Sequence, residues 1–235
     1  MSNRAIVFFH RLEINGNNTK TRIANSYGGT ALASELSFEL LLYMLDNLYT
    51  FDGDVYVCAP SDCQYPSTNI LIRDKKVTIL AGDTDSRGDV LCRVKDSISI
   101  LQGMGYEKII SSVADAPNMK KEYYELIFDM LNYNNVVLAP AFDRGINAYA
   151  VNAGVDLEWL NAKRTNSRVE DFDLIGELTQ NLERLQIHHS IVDVILGDID
   201  EYDDVLKFYN ELRNTDRSEY ADRLFNFIKD NYDLQ

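Results

Sequence analysis

The chain has 235 residues, 46% of them apolar, with a formal net charge of −14 and a sequence pI near 4.6. That length and apolar share suit one domain with a substantial core. The negative charge excludes nucleic acid as a natural partner, because a polyanion requires a basic footprint. No apolar run approaches the roughly 20 residues that a membrane helix needs. The start, MSNRAIVFF, lacks the apolar stretch and cleavage site of a signal peptide. The cytoplasm, with no membrane association, is therefore the expected setting.

In chain order, AIVFF at 5–9 reads as a buried first strand, followed by the polar loop HRLEINGNNTKTR. Residues 30–49 place Leu32, Leu36, Leu40, Tyr43, Met44 and Leu48 at helical spacing. DVYVCAP at 54–60 is a second strand and VTIL at 77–80 a third. A helix over 90–104 ends at Gly103 or Gly105, the strand KIISSVAD follows, and then a helix over 118–133. NVVLAP and NAYAVN flank the turn FDRGI and lie too close for a helical crossover, so the sheet is antiparallel or mixed there. Residues 170–186 form a helix, HHSIVDVIL a late strand, and helices over 201–213 and 216–231 close the chain. Strands alternating with helices imply a largely parallel, doubly wound, Rossmann-like mixed sheet flanked by helices, in a single α/β domain over 1–235. The last helix, with Leu224, Phe225 and Ile228, is expected to pack on the body; a homodimer is the alternative.

Two acidic motifs stand beside strands, VADAP at 113–117 and ILGDID at 195–200. The carboxyl ends of strands are where α/β sheets gather ligands. Asp115, Asp198 and Asp200 can therefore meet in one cleft and hold a divalent metal, magnesium or manganese, whose hard character suits oxygen ligands and substrate phosphates. The same aspartates serve equally well as helix caps or turn residues. The first loop carries Arg11, Gly16, Lys20 and Arg22 directly after a strand. Three cations there can neutralise a di- or triphosphate, and Asn15 to Asn18 tolerate the positive φ that turns backbone N–H groups toward an anion. The GxxxxGK[ST] spacing is absent, and a solvated basic loop is the alternative.

Gly88 and Asp89, with Arg93 one turn later, fit a helix start and its ion-pair partner, or a backbone approached by a base or ribose. In Asp143-Arg144-Gly145-Ile146-Asn147 a tight turn accounts for Gly145, while Asn147 heads a strand from which its amide can reach an acceptor or a ribose. Cys58, Cys63 and Cys92 match no zinc spacing and read as buried or half-buried thiols. His10, His188 and His189 are unpersuasive as metal ligands, and no convincing Ser–His or Cys–His arrangement is present.

Taken together, these pieces resemble the GT-A-like nucleotidyltransferase superfamily. The opening AIVFFHRLEINGNNTKTRIA is similar to that of a family of GT-A-like transferases whose first loop runs approximately FxRxPxPGxxKTRL. Arg11, Gly16, Lys20, Thr21 and Arg22 match with one extra residue, and Glu13 and Asn15 replace the two prolines. That family's GDLGxRM segment is matched by GDVLCRV, which keeps Gly88, Asp89 and Arg93. The 2-phospho-L-lactate guanylyltransferases offer a second resemblance, through the KxRL loop, ADLPLL, GTNALL and DxDxPEDL. This chain has ADAP at 114–117, GINA at 145–148 and DID at 198–200 in the same order, with Ala116, Ile146 and Arg144 as departures.

The resemblance implies that Asp115, Asp198 and Asp200 bind magnesium and that Lys20 and Arg22 hold nucleotide phosphates, acting with Asp115 in catalysis. It also implies that Arg11, Gly16, Gly88, Asp89 and Arg93 contact the nucleotide, with Arg144, Gly145 and Asn147 beside the acceptor. The expected activity is magnesium-dependent transfer of a nucleoside monophosphate from a nucleoside triphosphate, GTP among the candidates, to a small phosphorylated acceptor with release of pyrophosphate. A GT-A-type glycosyltransferase using a nucleotide sugar is the rival enzyme, and a non-catalytic nucleotide-binding or scaffold protein the rival from another class.

Overall fold

The alternation of side chains along the first strand decides the layering. A computed structural model describes residues 3–10, 12, 20–60, 69–82, 90–161, 173–214 and 218–232. Strand β1 (Arg4–Phe9) sends Ile6 and Phe8 into one apolar core and Ala5, Val7 and Phe9 into another. Successive strand residues face opposite sides of the sheet, so a strand this apolar needs cover on both faces.

The described elements after β1 are α1 (Thr21–Ser26), α2 (Gly29–Asn47), β2 (Asp54–Pro60), β3 (Asn69–Ile72), β4 (Lys75–Gly82), α3 (Val90–Gly103) and β5 (Lys108–Ser112). Then come α4 (Lys121–Met130), β6 (Val136–Pro140), β7 (Ile146–Asn152), α5 (Leu174–Arg184), β8 (His189–Ile191), α6 (Tyr202–Arg213) and α7 (Glu219–Asn231). A 3₁₀ turn at Leu157–Leu160 precedes α5. The sheet order is β3-β4-β2-β1-β5-β7-β6-β8. Strands β4, β2, β1 and β5 run parallel, as do β6 and β8, while β3 and β7 run antiparallel to their neighbours. Leu36 of α2, Ile127 of α4, Val205 of α6 and Leu224 of α7 fill one core; Val94 of α3, Trp159 and Leu178 of α5 fill the other. This is the single α/β domain with a largely parallel mixed sheet that the alternation implies. Among the described residues, no helix is long and apolar enough to cross a membrane.

Three local features depart from the pattern read in the sequence. β3 forms a hairpin with β4 through Arg73 at φ 54; NILI is short, and its turn lacks the Asn-Gly or Asp-Gly signal of a two-residue hairpin. The stretch expected as polar loop up to Arg22 ends in the short helix α1. The late strand HHSIVDVIL pairs continuously with β6 only over His189–Ile191. Val192 N–H reaches the Leu138 carbonyl, but the next bond would need an N–H from Pro140, which proline lacks. Pairing resumes at a single bridge between Ala141 and Leu196.

Helix α7 docks on α2 as expected. Ser218, its N-cap, accepts from Ala221 N–H and donates through Oγ to Asp46 Oδ2 at 2.6 Å. Asp46 also receives Arg73, and Glu39 receives Arg223 at 2.5 Å. Leu224 and Ile228 are fully buried, and Phe225 packs against the same core. Leu224→Ala is expected to lower unfolding free energy by about 2–5 kcal/mol, the usual cost of truncating a buried leucine. Urea denaturation checks this; a change within about 0.5 kcal/mol, typical of surface sites, would detach α7 from the folding unit.

Candidate active site

The chain leaves β1 toward β2 on one side of the sheet, while β5 lies on the other. The carboxyl end of β1 is therefore a topological switch point, where open α/β sheets form their binding crevice. Lys20 follows β1 and caps α1 with φ 52 and ψ 47. This left-handed conformation is uncommon for a non-glycine residue, and strain of this kind collects at functional sites. The turn aims the side chain inward, leaving it 5% exposed. Nζ donates to Asp115 Oδ2 at 2.5 Å, to Asp200 Oδ1 at 3.0 Å and to the Ile199 carbonyl. Burial works against the ammonium charge, but Asp115 and Asp200 outweigh it and hold Lys20 above the usual lysine range.

The carboxylates come from three different strand ends. Asp115 lies three residues past β5, and Asp143 three residues past β6. Asp198 and Asp200 follow the Ala141–Leu196 bridge, and Ile199 N–H donates to the Asp115 carbonyl at 2.9 Å. Asp200 stands before α6, whose Glu201–Asp204 capping box also receives the Asp200 N–H through Asp204 Oδ2 at 3.1 Å. Asp143 Oδ1 accepts from Gly145 N–H at 2.8 Å, and a Cβ at Gly145 would meet that oxygen at 2.7 Å, so a side chain there would displace the carboxylate.

Single oxygens of Asp143, Asp198 and Asp200 all lie within 4.8 Å of one another. Asp115 shares their electrostatic field, and its Oδ1 is buried without a hydrogen-bond partner. Burial first, then the charges of Asp115 and Asp200, push Asp198 up to about 7; Asp143 adds to the rise and Lys20 opposes it. An all-oxygen donor set with an unsatisfied lone pair fits a hard divalent cation such as magnesium or manganese.

A cleft of about 560 Å³ opens over these groups, within the range of small-molecule sites. Four aspartates line it beside three cations, Lys20, Arg22 and Arg93. Arg22 reaches Asp200 Oδ2 at 3.4 Å and is 65% exposed. The Arg93 guanidinium lies over the Phe9 ring, 5.5 Å from its centroid. Gly145 and Asn147 also line the cleft, whereas Arg144, exposed at φ 65, does not. Asn147 is 1% exposed and gives its amide N–H to the Leu196 carbonyl at 2.8 Å, tying the acidic segment to the sheet. Arg11, Gly16, Gly88 and Asp89 lie outside the described residues.

Two features of the site go beyond the residues expected from the sequence. Asp143 belongs with the acidic group, and its signal was there: VVLAPAFD repeats the strand-then-Asp pattern of KIISSVAD. His10 and Ser37 meet in the cleft wall, Nε2 to Oγ at 2.9 Å. This is not a nucleophilic dyad. Nδ1 accepts from Leu12 N–H at 2.9 Å, so Nε2 carries the proton and donates toward Ser37. Burial lowers the imidazole pKa to about 4, keeping it neutral. Burial likewise pushes the Cys58 thiol up to about 12, while Cys92 is exposed rather than the half-buried thiol expected.

No protein-family profile matches the sequence, and no curated protein does. Among solved structures, a candidate nucleotide-diphospho-sugar transferase from Desulfovibrio desulfuricans G20 superposes with a TM-score of 0.79 at 19% identity, over 99% of this chain and 96% of its own. A cytidylyltransferase from Leptospira borgpetersenii superposes at 0.55 and 17% identity, covering 99% and 96%. A CMP:2-keto-3-deoxy-manno-octonic acid synthetase, complexed with CTP, superposes at 0.55 and 11% identity, covering 90% and 99%. At these identities the likeness establishes the fold: this chain shares the α/β architecture of those three structures.

Divalent-ion affinity is expected to rise with pH up to about 7 and then level off, because Asp198 must lose its proton to become a ligand. Stability of the metal-free protein runs the other way. A carboxyl raised from 3.8 to about 7 contributes stability that is complete below pH 3.8 and lost as pH rises through about 7. Calorimetric manganese titration at several pH values, beside Asp198→Asn, checks both signs. A pH-independent affinity in the parent would remove Asp198 from the metal-binding group.

Proposed function

We propose that this protein is a divalent-metal-dependent nucleotidyltransferase. Carrying this reading is the junction of buried Lys20 with Asp115 and Asp200, beside the close oxygens of Asp143, Asp198 and Asp200. Positive and negative groups alternate there within one cleft, which is the arrangement a metal–triphosphate ligand needs. Asp198, Asp200 and Asp143 would hold the cation, with Asp115 adjoining, and Arg22 and Arg93 would face the phosphates. When bound, the metal supplies charge neutralisation on phosphate oxygens.

The chain's own contribution is positioning and electrostatics rather than a side-chain nucleophile. Lys20 holds two of the carboxylates in register. Arg22 is the more exposed cation, free to exchange its 3.4 Å contact with Asp200 for a phosphate oxygen. Its planar fork suits that task. An acceptor oxygen attacks the α-phosphorus in line, the bond to the bridging oxygen breaks, and pyrophosphate departs. The CTP-bound and cytidylyltransferase neighbours support nucleotidyl transfer as the reaction class and leave GTP one base among four to test.

The Desulfovibrio neighbour's name favours a second reading, glycosyl transfer from a nucleotide sugar. Products separate the two: pyrophosphate from a triphosphate, or a nucleoside diphosphate from a nucleotide sugar. A panel of the four ribonucleoside triphosphates and several nucleotide sugars, scored by thermal shift with and without magnesium, selects the donor. Saturation at a hundred times the dissociation constant raises stability by about 2.7 kcal/mol, a readable shift.

Asp198→Asn and Asp200→Asn are each expected to remove most turnover at saturating magnesium while leaving the circular-dichroism spectrum intact. Normal turnover in both would refute the shared metal site. Arg22→Ala is expected to weaken triphosphate binding about tenfold, since a charge-assisted hydrogen bond contributes roughly 1.5–3 kcal/mol. Equal triphosphate affinity in parent and variant would take Arg22 out of the phosphate site.

A further inference from the structure

A second cavity, of about 430 Å³, adjoins the carboxylate group. The two cavities share Arg22, Asp143, Asp198 and Asp200, so those residues form the ridge between them. Their charge differs sharply. Among the described residues, the first cavity sets three cations against four aspartates, and the second sets two cations against six carboxylates. The second cavity's own cation, Lys207, sits on α6 between Asp204 and Glu211 at helical spacing, where both offset it. A bound divalent cation would bring the first cavity to a positive balance and leave the second negative.

The second cavity is also apolar at its mouth. Phe142 and Ile195 line it and remain 68% and 45% exposed, with Val194 beside them at 50%. Phe142 is held over Gly197, where an added Cβ would meet its ring at 3.1 Å. Below the mouth, Phe208 and Ile199 contribute buried apolar surface. Exposed apolar patches rimmed by polar groups mark ligand grooves and interaction sites. Here the patch runs directly into the carboxylate ridge, which ties its occupant to the same chemistry.

We infer that the second cavity receives the acceptor, and that the acceptor is an uncharged, hydroxyl-bearing molecule with an apolar body. This rests on the nucleotidyl reading above and replaces the phosphorylated acceptor implied by the resemblance. Six carboxylates repel a phosphate monoester, whereas hydroxyls donate hydrogen bonds to carboxylate oxygens. In the transfer, the acceptor hydroxyl oxygen forms a bond to the α-phosphorus and the bond from that phosphorus to the bridging oxygen breaks. Pyrophosphate leaves with its electron pair, and the hydroxyl proton passes to solvent. The products are a phosphodiester, pyrophosphate and one proton.

The test compares two probes with one apolar body and different heads, hexyl β-glucoside and hexyl phosphate. Binding to the full-length protein is measured by ligand-observed NMR, with manganese-free magnesium buffer and a non-hydrolysable triphosphate present. The glucoside is expected to bind at least about tenfold more tightly than the phosphate, a gap of about 1.4 kcal/mol. Phe142→Asp and Ile195→Asp are each expected to weaken the glucoside severalfold while triphosphate affinity, titrated separately, stays within about twofold. Glu211→Lys is expected to narrow the gap by favouring the phosphate. Tighter binding of the phosphate by the parent, or glucoside binding indifferent to both aspartate substitutions, would overturn the inference. Failure of the parent to bind any triphosphate would instead sink the nucleotidyl reading, while the head-group comparison still reports on this cavity.

Discussion

Everything around the cleft depends on one buried ammonium. Four aspartates converge at the carboxyl edge of the sheet, and like charges about 4 Å apart repel by roughly 4 kcal/mol at an effective dielectric near 20. Lys20 offsets that repulsion from within, joining the start of α1, the turn after β5 and the segment before α6 through three hydrogen bonds. Removing one partner of such a buried group is far more costly than the pair's net contribution, because the other charges are left uncompensated. The left-handed backbone at Lys20 follows from this constraint: the chain accepts an unfavourable φ to bring the ammonium inward.

An aromatic seam stiffens the same junction from outside. Tyr27, at the end of α1, stacks on Tyr202, the first residue of α6, with ring centroids 5.1 Å apart. Tyr232, just past α7, stacks on Tyr27 at 5.2 Å and accepts a hydrogen bond from Tyr202 through its carbonyl. Aromatic pairs of this geometry add about 0.5–1.5 kcal/mol beyond burial. The seam links α1, which carries Arg22, to α6, which anchors Asp200. The C-terminal helix thus braces the site without lining the cleft.

The carboxylate ridge also gives the molecule its asymmetry. A net charge of −14 disfavours anionic ligands in general, yet the first cavity gathers three of the chain's cations beside its aspartates. Local placement therefore overrides the global balance on one side of the ridge and reinforces it on the other. Two cavities that share one acidic wall can hold two reactants with the reacting atoms between them, which is the geometric requirement for transfer.

Much of the fold was legible because it rests on local signals. β2 runs over the stretch DVYVCAP read as a strand, and the helices expected over 30–49 and 170–186 correspond to α2 and α5. The short loop between NVVLAP and NAYAVN was enough to require an antiparallel pair. The motifs VADAP and ILGDID could be read as strand-end acids. That Lys20 sits between them could not, because its contacts with Asp115 and Asp200 span 95 and 180 residues of chain and depend on which strands lie beside β1. Asp143 escaped for a related reason: Gly145 explains a turn equally well with or without a functional acid. The truncated β8 depended on a missing N–H at Pro140, fifty residues from the strand it interrupts. Sequence alone determined the element types, their order and the residues with chemistry to offer, since these follow from periodicity and side-chain type. Tertiary structure alone decided which charges became neighbours, which side of the ridge holds the cations and why Lys20 is bent inward, since electrostatic partners are chosen by strand order and not by spacing.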